Sequence, residues 1–450
     1  MLLIGRGCRG SDGAFRKLAC RRGHGFARRG IGSVAMTGNN RDDEADHRKA
    51  HARVLPVGSA RCQEVLACAR MQNWPTFELR MAELWTLLPS WVEINSFTGN
   101  PSGTAAMAEA LTAAFALPGL RAHTIAGRGC GPHVVFATSR YTAGHKQCVL
   151  LGHHDTVFPP GGFVGFRRDA EYVYGPGVLD MKGGLAVIRT ALAVLADAGL
   201  LSDLGVCVIS VADEETGSAD GAHVIEQWAN GAQRALVFEA GRTADRIVVA
   251  RKGTGKLRVD VTGRAAHAGN DLANGVNAIV ALAQFIAALA AVRLDIPVTH
   301  NVGLIEGGTA ANTVPAHAIC EIDLRAETAE ASETLLSRIR QCADEVARAT
   351  GATFAFSGGM RRRPLEPNPA SLTLAAHYGK CADRHGLGHA VADLVGGGSD
   401  ANTTAALGIP SIDGLGPRGK HFHTPQEFAE SASFGPKVRA LLDFLKSLQS

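Results

Sequence analysis

Four short apolar runs constrain this chain more than any other feature. Residues 134–137, 148–152, 205–211 and 235–238 are too short for ordinary helices and too apolar to lie on a surface. Stretches with helical periodicity flank or separate them, at 74–95, 102–117 (with Ser102 as its cap) and 184–198. Such alternation predicts an α/β fold, with a largely parallel or mixed sheet covered by helices on both faces. At 450 residues and 46% hydrophobic content the chain can fill one large core or two moderate ones.

From residue 253 the texture changes. Residues 256–261 alternate polar and apolar, as a half-buried strand does. A helix over 273–292, strands over 301–306 and 317–324, a helix over 328–349 and a strand over 352–356 follow. This β-α-β-β-α-β order is that of a ferredoxin-like α+β unit. The expected organisation is a catalytic domain over 71–252, a smaller insert over 253–363, and the rest of the catalytic domain over 364–450.

Residues 1–70 read as a disordered or mis-called leader, with Met36 or Met71 as the alternative start and an Arg-rich organelle-targeting segment as the competing reading. They carry 14 Lys/Arg against 6 Asp/Glu, whereas the other 380 residues carry 32 against 36. The body therefore gives no electrostatic reason to expect a nucleic-acid partner. No run of 18 apolar residues exists, so no membrane span is expected. Ten cysteines without a CxxC pair suggest reduced thiols. Lacking an apolar signal core after Met1, the protein is expected to be cytoplasmic.

Three of the apolar runs lead directly into acids or histidines. His153, His154 and Asp155 follow the second, Asp213, Glu214 and Glu215 the third, and Glu239 the fourth. A Gly-rich turn, GPGVLDMKGG, places Asp180 before a helix, and residues 421–427 add His421 and His423. Each piece alone is commonplace: a surface pair, a helix cap, a solvated loop. Their joint occurrence at strand ends is not, because open α/β sheets bind ligands there. Two imidazoles with several carboxylates suit one or two Zn²⁺ ions, with Mn²⁺ or Co²⁺ as substitutes. A spare carboxylate as base then allows amide hydrolysis. There is no G-x-S-x-G elbow, H-E-x-x-H helix or Walker loop.

In the order GHHDTV, GPGVLDMKGG, DEETGS, GGGSDA, the chain from Met71 resembles the co-catalytic zinc metallopeptidases. These include glutamate carboxypeptidase (carboxypeptidase G), aminoacylase, acetylornithine deacetylase and succinyl-diaminopimelate desuccinylase. Carboxypeptidase G is the nearest type, through DEETGS, VFEAG and GRAAHAG. The resemblance implies two zinc ions per subunit, bridged by Asp180. His153 and Glu239 would complete one shell, and Glu215 and His423 the other. Asp155 would hold His153, and Glu214 would deprotonate the metal-bridging water. His423 fits the family's His-Ser/Thr-Pro run better than His421 does, and His154 should face away.

The insert would be a dimerisation or lid domain. Its His267 would reach a partner subunit's site and stabilise the oxyanion. Asn312 and Arg325 would bind substrate, Arg325 by gripping a carboxylate. Gly398, after Gly397, would let the chain pass close to the substrate. The implied activity is hydrolysis of a small peptide or N-acyl amino acid by a homodimer, with release of C-terminal glutamate. A deacylase of the acetylornithine or succinyl-diaminopimelate type is the alternative. The intact ligand set argues against a metal-free binding or scaffold protein that kept the fold.

Overall fold

The computed structural model describes residues 74–292 and 295–449, so the leader lies outside the described residues. The chain begins with α1 (Phe77–Val92), α2 (Pro101–Ala114), β1 (Leu120–Ile125), β2 (His133–Thr138) and β3 (Cys148–His153). Short strands β4 (Arg167–Arg168) and β5 (Tyr172–Tyr174) precede α3 (Lys182–Asp197), β6 (Val206–Val211), α4 (Gly221–Ala229) and β7 (Ala235–Val237). The insert holds β8 (Gly253–Thr262), α5 (Ala278–Ala291), β9 (Val298–Gly307), β10 (His317–Ala326), α6 (Ala329–Thr350) and β11 (Thr353–Arg362). Then come α7 (Pro369–Asp383), α8 (Asp400–Ala406), β12 (Ser411–Ile412), β13 (Gly419–Lys420), β14 (Phe428–Glu430) and α9 (Ser431–Lys446).

The main sheet is mixed, in the order β1-β2-β6-β3-β7-β12. β3 runs parallel to β6 and β7, and β2 antiparallel to β6. β2, β3 and β6 are buried along their whole length. Their period of two sorts side chains into two cores: Cys148 and Leu150 of β3 join one, Val149 and Leu151 the other. α1, α3, α7 and α9 pack into the first core, and α4 contributes to the second. A strand covered on both faces has to be apolar throughout, which explains the continuous runs. Among the described residues no helix is long and apolar enough to cross a membrane.

The insert's sheet is antiparallel in the order β11-β8-β10-β9, with α5 and α6 on one face. Leu257, Val259 and Val261 of β8 meet Phe285 and Leu335 in its core. The opposite face carries ion pairs such as Lys256–Glu321 and Arg258–Asp260. A third small sheet pairs β14 with β5, setting Phe428 opposite Tyr174. That pairing brings the turn after Tyr174 next to the loop before Phe428.

Several boundaries differ from expectation. Asn100, not Ser102, caps α2: its side chain accepts from the Gly103 N–H, and Pro101 occupies the first helical position. α5 starts at Ala278 because Asn277 caps it. β11 does not stop at Phe356; it continues through Gly358 and Gly359, both at positive φ, to Arg362.

Candidate metal centre

β3 ends at His153, the turn before α3 holds Asp180, a 3₁₀ turn after β6 holds Glu214 and Glu215, and Glu239 follows β7. Gly184 lets the start of α3 approach the end of β7, since a Cβ there would collide with the Phe238 carbonyl oxygen. His423 arrives on the loop before β14. The donors form two groups of three that share Asp180: His153, Asp180 and Glu239, and Asp180, Glu215 and His423. His153 Nε2 lies 3.2 Å from Asp180 Oδ1 and 3.8 Å from Glu239 Oε1. His423 Nε2 lies 3.2 Å from Asp180 Oδ2 and 3.0 Å from Glu215 Oε2.

These separations fit donors around a common ion, because a tetrahedral shell with bonds of about 2.1 Å has edges of about 3.4 Å. Glu239 Oε1 is buried without a hydrogen-bond partner, as a metal-facing oxygen would be before an ion is added. Burial pushes Glu215 up to about 8, with the Asp180 charge adding to it, and pushes Glu239 well above the usual carboxylate range. Burial opposes charge on His153, yet Glu239, Asp155 and Asp180 hold it well above its ordinary value. Hydrogen bonds to Asp180 and Glu215 hold His423 at about 10. All four shifts come from carboxylates crowded together out of water, a charge imbalance that a divalent cation would relieve.

Asp155 does more than hold His153. Its Oδ1 lies 3.3 Å from His153 Nδ1 and accepts the Glu214 N–H at 3.1 Å; its Oδ2 accepts the Glu215 N–H at 3.1 Å and the Thr98 hydroxyl at 2.6 Å. One buried carboxylate therefore fixes a histidine and the backbone of both acids. His154 turns away and bonds the Ser210 hydroxyl at 2.9 Å. Burial lowers its imidazole to about 3. His421 packs against Phe428 and belongs to neither donor group.

Sequence reasoning gave several supporting residues no role. Glu427 is buried and accepts the N–H groups of Gly177, Leu179 and Asp180 at 3.2, 2.8 and 3.0 Å, so one loop supplies both His423 and the clamp on Asp180. Lys182 is fully buried and donates to the Trp91 and Ile94 carbonyls. Arg362 places Nη1 2.7 Å from Glu214 Oε1. Glu427 stood inside the His421–Glu427 run, but nothing in that run marked it as a backbone acceptor.

A third group, Cys130, His133 and Asp220, also has metal-ligand composition. Here the hydrogen bonds argue otherwise. His133 Nδ1 accepts the Ala212 N–H at 3.1 Å, which puts the ring proton on Nε2, 3.2 Å from Asp220 Oδ2. An imidazole that donates to a carboxylate supports the acid turn; it has no lone pair left for an ion.

Two cavities flank the acids, of about 210 and 440 Å³, and share Glu214, Glu215, Gly397, Gly398 and His423. Arg242 lines the smaller and Arg325 the larger. Arg325 is already engaged, its fork on Asp323 at 2.9 and 3.0 Å. His267 and Asn312 line neither. They sit together on the insert, where the Ala268 N–H donates to the Asn312 carbonyl. Two backbone N–H groups, of Gly269 and Asn270, donate to His267 Nδ1 at 3.1 Å, leaving Nε2–H as an outward donor. Gly398 has a local role, since a Cβ there would lie 3.3 Å from Arg362 Cδ and 3.1 Å from Thr254 Cγ2.

Residues 249–351 match the M20 peptidase dimerisation domain. Carboxypeptidase G2 of Pseudomonas sp. (strain RS-16) is 30% identical over 401 residues, covering 84% of this chain and 92% of the relative. A succinyl-diaminopimelate desuccinylase of Bordetella petrii is 29% identical over 323 residues, covering 68% and 80%. The solved structure of aminopeptidase PepT from Bacillus cereus ATCC 10987 shares the fold, with a TM-score of 0.68 at 23% identity over 82% of this chain and 99% of that one. With its strand-end ligand groups and an insert of the dimerisation type, this chain belongs to the M20 family of metallopeptidases.

Proposed function

We propose that this hydrolase is a di-zinc carboxypeptidase that cleaves the amide bond of a small peptide or N-acyl amino acid and releases C-terminal glutamate. The observation that carries the reading is the pair of three-donor groups sharing Asp180, with Glu214 beside them in the same cleft. His153, Asp180 and Glu239 would hold one zinc, and Asp180, Glu215 and His423 the other. When bound, the ions lower the pKa of water and polarise the scissile carbonyl. Glu214 takes a proton from the attacking water as the oxygen–carbon bond forms. It returns that proton to the amide nitrogen as the carbon–nitrogen bond breaks, leaving a carboxylic acid and an amine.

Arg325 faces the larger cavity, where its guanidinium can exchange Asp323 for a substrate carboxylate. His267 Nε2–H would stabilise the oxyanion in a second copy's site, with Asn312 beside it binding substrate, which makes the protein a homodimer. The exposed apolar side chains Leu304 and Ile305 on the edge strand β9, with Ile279 and Val280 on α5, support that assembly.

A deacylase reading shares every metal residue and draws support from the desuccinylase relative. Free amino acid release from four substrates separates the two: aminobenzoyl-glutamate, a dipeptide ending in glutamate, N-acetylornithine and N-succinyl-diaminopimelate. Each is run with zinc and after chelation. Chelator-sensitive release of glutamate is the expected result. Turnover of the acylated diamino acids alone would move the protein to the deacylases, and zinc-independent turnover would remove the metal mechanism.

A further inference from the structure

We propose that Arg362, carried by the insert, is the positioning residue for the general base: it holds one carboxylate oxygen of Glu214 and leaves the other free to face the substrate. The inference rests on the reading of Glu214 as the base. Arg362 is 7% exposed. Its Nη1 lies 2.7 Å from Glu214 Oε1, and Nη2 donates to the Ser218 hydroxyl at 2.8 Å and to Asp400 Oδ1 at 3.1 Å. Asp400 is itself fixed, accepting the Ser218 hydroxyl at 2.6 Å. A planar guanidinium gripped at Nη2 by this anchored pair presents Nη1 in a fixed direction. Bases oriented by a third group recur wherever proton transfer needs a defined geometry.

The backbone explains how the side chain reaches the site. In β11, Met360 pairs with Gly255 and Arg362 with Thr254, so Arg361 is an extra residue and the strand bulges there. Without the bulge Met360 and Arg362 would share a face. With it they point opposite ways, and Met360 packs on the insert's core while Arg362 crosses to Glu214. Of the three consecutive arginines only the middle one is buried. Gly398 completes the arrangement, because a methyl group there would press on the Arg362 stem at 3.3 Å. The base thus takes its orientation from a residue of the other sheet.

The test uses the full-length, zinc-loaded protein and the substrate with the highest turnover in the panel. Arg362→Met should lower kcat about a hundredfold, the usual cost of misplacing a reacting group by about 1 Å. KM should stay within about threefold and zinc content should be unchanged. Millimolar guanidinium ion, the missing fragment, should restore at least about tenfold of kcat in Arg362→Met and nothing in Glu214→Gln. Arg362→Lys, which keeps the charge without the fork, should fall about tenfold in kcat alone. A folded Arg362→Met with near-normal kcat, or a loss spread over kcat and KM that guanidinium does not repair, overturns the proposal. If Arg362→Met does not fold, unchanged kcat in Arg362→Lys overturns it equally. Turnover by Glu214→Gln would bring down the base reading and this inference together, whereas an inactive Glu214→Gln beside an active Arg362→Met brings down this inference alone.

Discussion

β3 buries all six of its residues, whereas β9, at the edge of the insert's sheet, buries none. Six of the proposed site residues divide along the same line, although Arg362 of the insert is itself buried. His153, Asp155, Glu214 and Glu239 are each under a tenth exposed, locked by packing and by backbone donors. His267 and Asn312 stand in the open. On the proposed reading the buried strand ends form a site that is already built, while His267 and Asn312 would supply half of one. The two sets therefore call for different tests, one of chemistry and one of assembly.

On the buried side the largest effect is expected from Glu214→Ala, a loss of about 10²–10⁴ in kcat with zinc retained, read by steady-state kinetics and metal analysis. Loss of zinc in that variant would make Glu214 a ligand instead. On the exposed side, His267→Ala should lose about 10²–10³ in kcat with its metal intact. Mixing that variant with Glu214→Ala under subunit exchange should recover activity, because each mixed dimer would hold one complete site. Failure to recover any would confine His267 to its own chain and erase the contrast between the sheets.

Smaller effects sharpen the picture. Glu427→Ala strands the N–H groups of Gly177, Leu179 and Asp180 and should cost at least about 2 kcal/mol in urea unfolding. It should also weaken zinc binding, as lost outer contacts commonly do about 10- to 100-fold. Chelated protein should melt at progressively lower temperature as pH rises from about 6.5 toward 10. Folded His423 keeps its proton to about 10, against 6.5 in an unperturbed imidazole, so the stability from its charge is full below 6.5 and gone by 10. Glu215, raised by burial to about 8, adds a loss in the same direction as pH climbs from 4.5 to 8. Scanning calorimetry should show a flatter profile with zinc bound.

Much of this was legible because burial on both faces leaves only apolar residues in a strand. The two histidines and the acid at 153–155, and the acids at 213–215 and 239, therefore stood out as the places where burial had to be explained. The insert's alternation was equally readable, since one face meets helices and the other water. Arg362 was not legible. The strand was expected to end at 356, and a bulge that reverses one side chain leaves no periodic trace among three arginines. The two- and three-residue strands β4, β5, β13 and β14 are too short for any period to register. The cap at Asn100 should have been readable from Pro101, which favours the first position of a helix.

The Glu427 clamp on Asp180 joins residues 247 positions apart, and β12, the last strand of the main sheet, also comes from beyond the insert. During synthesis the ribosome delivers His153, Asp180, Glu214, Glu215 and Glu239 first, then the whole insert, and only afterwards His423 and Glu427. Before residue 423 is made, the donor group of Asp180 and Glu215 lacks its third member. On the proposed ligand set, the splice of one unit into another therefore leaves the second donor group incomplete until the insert has been made.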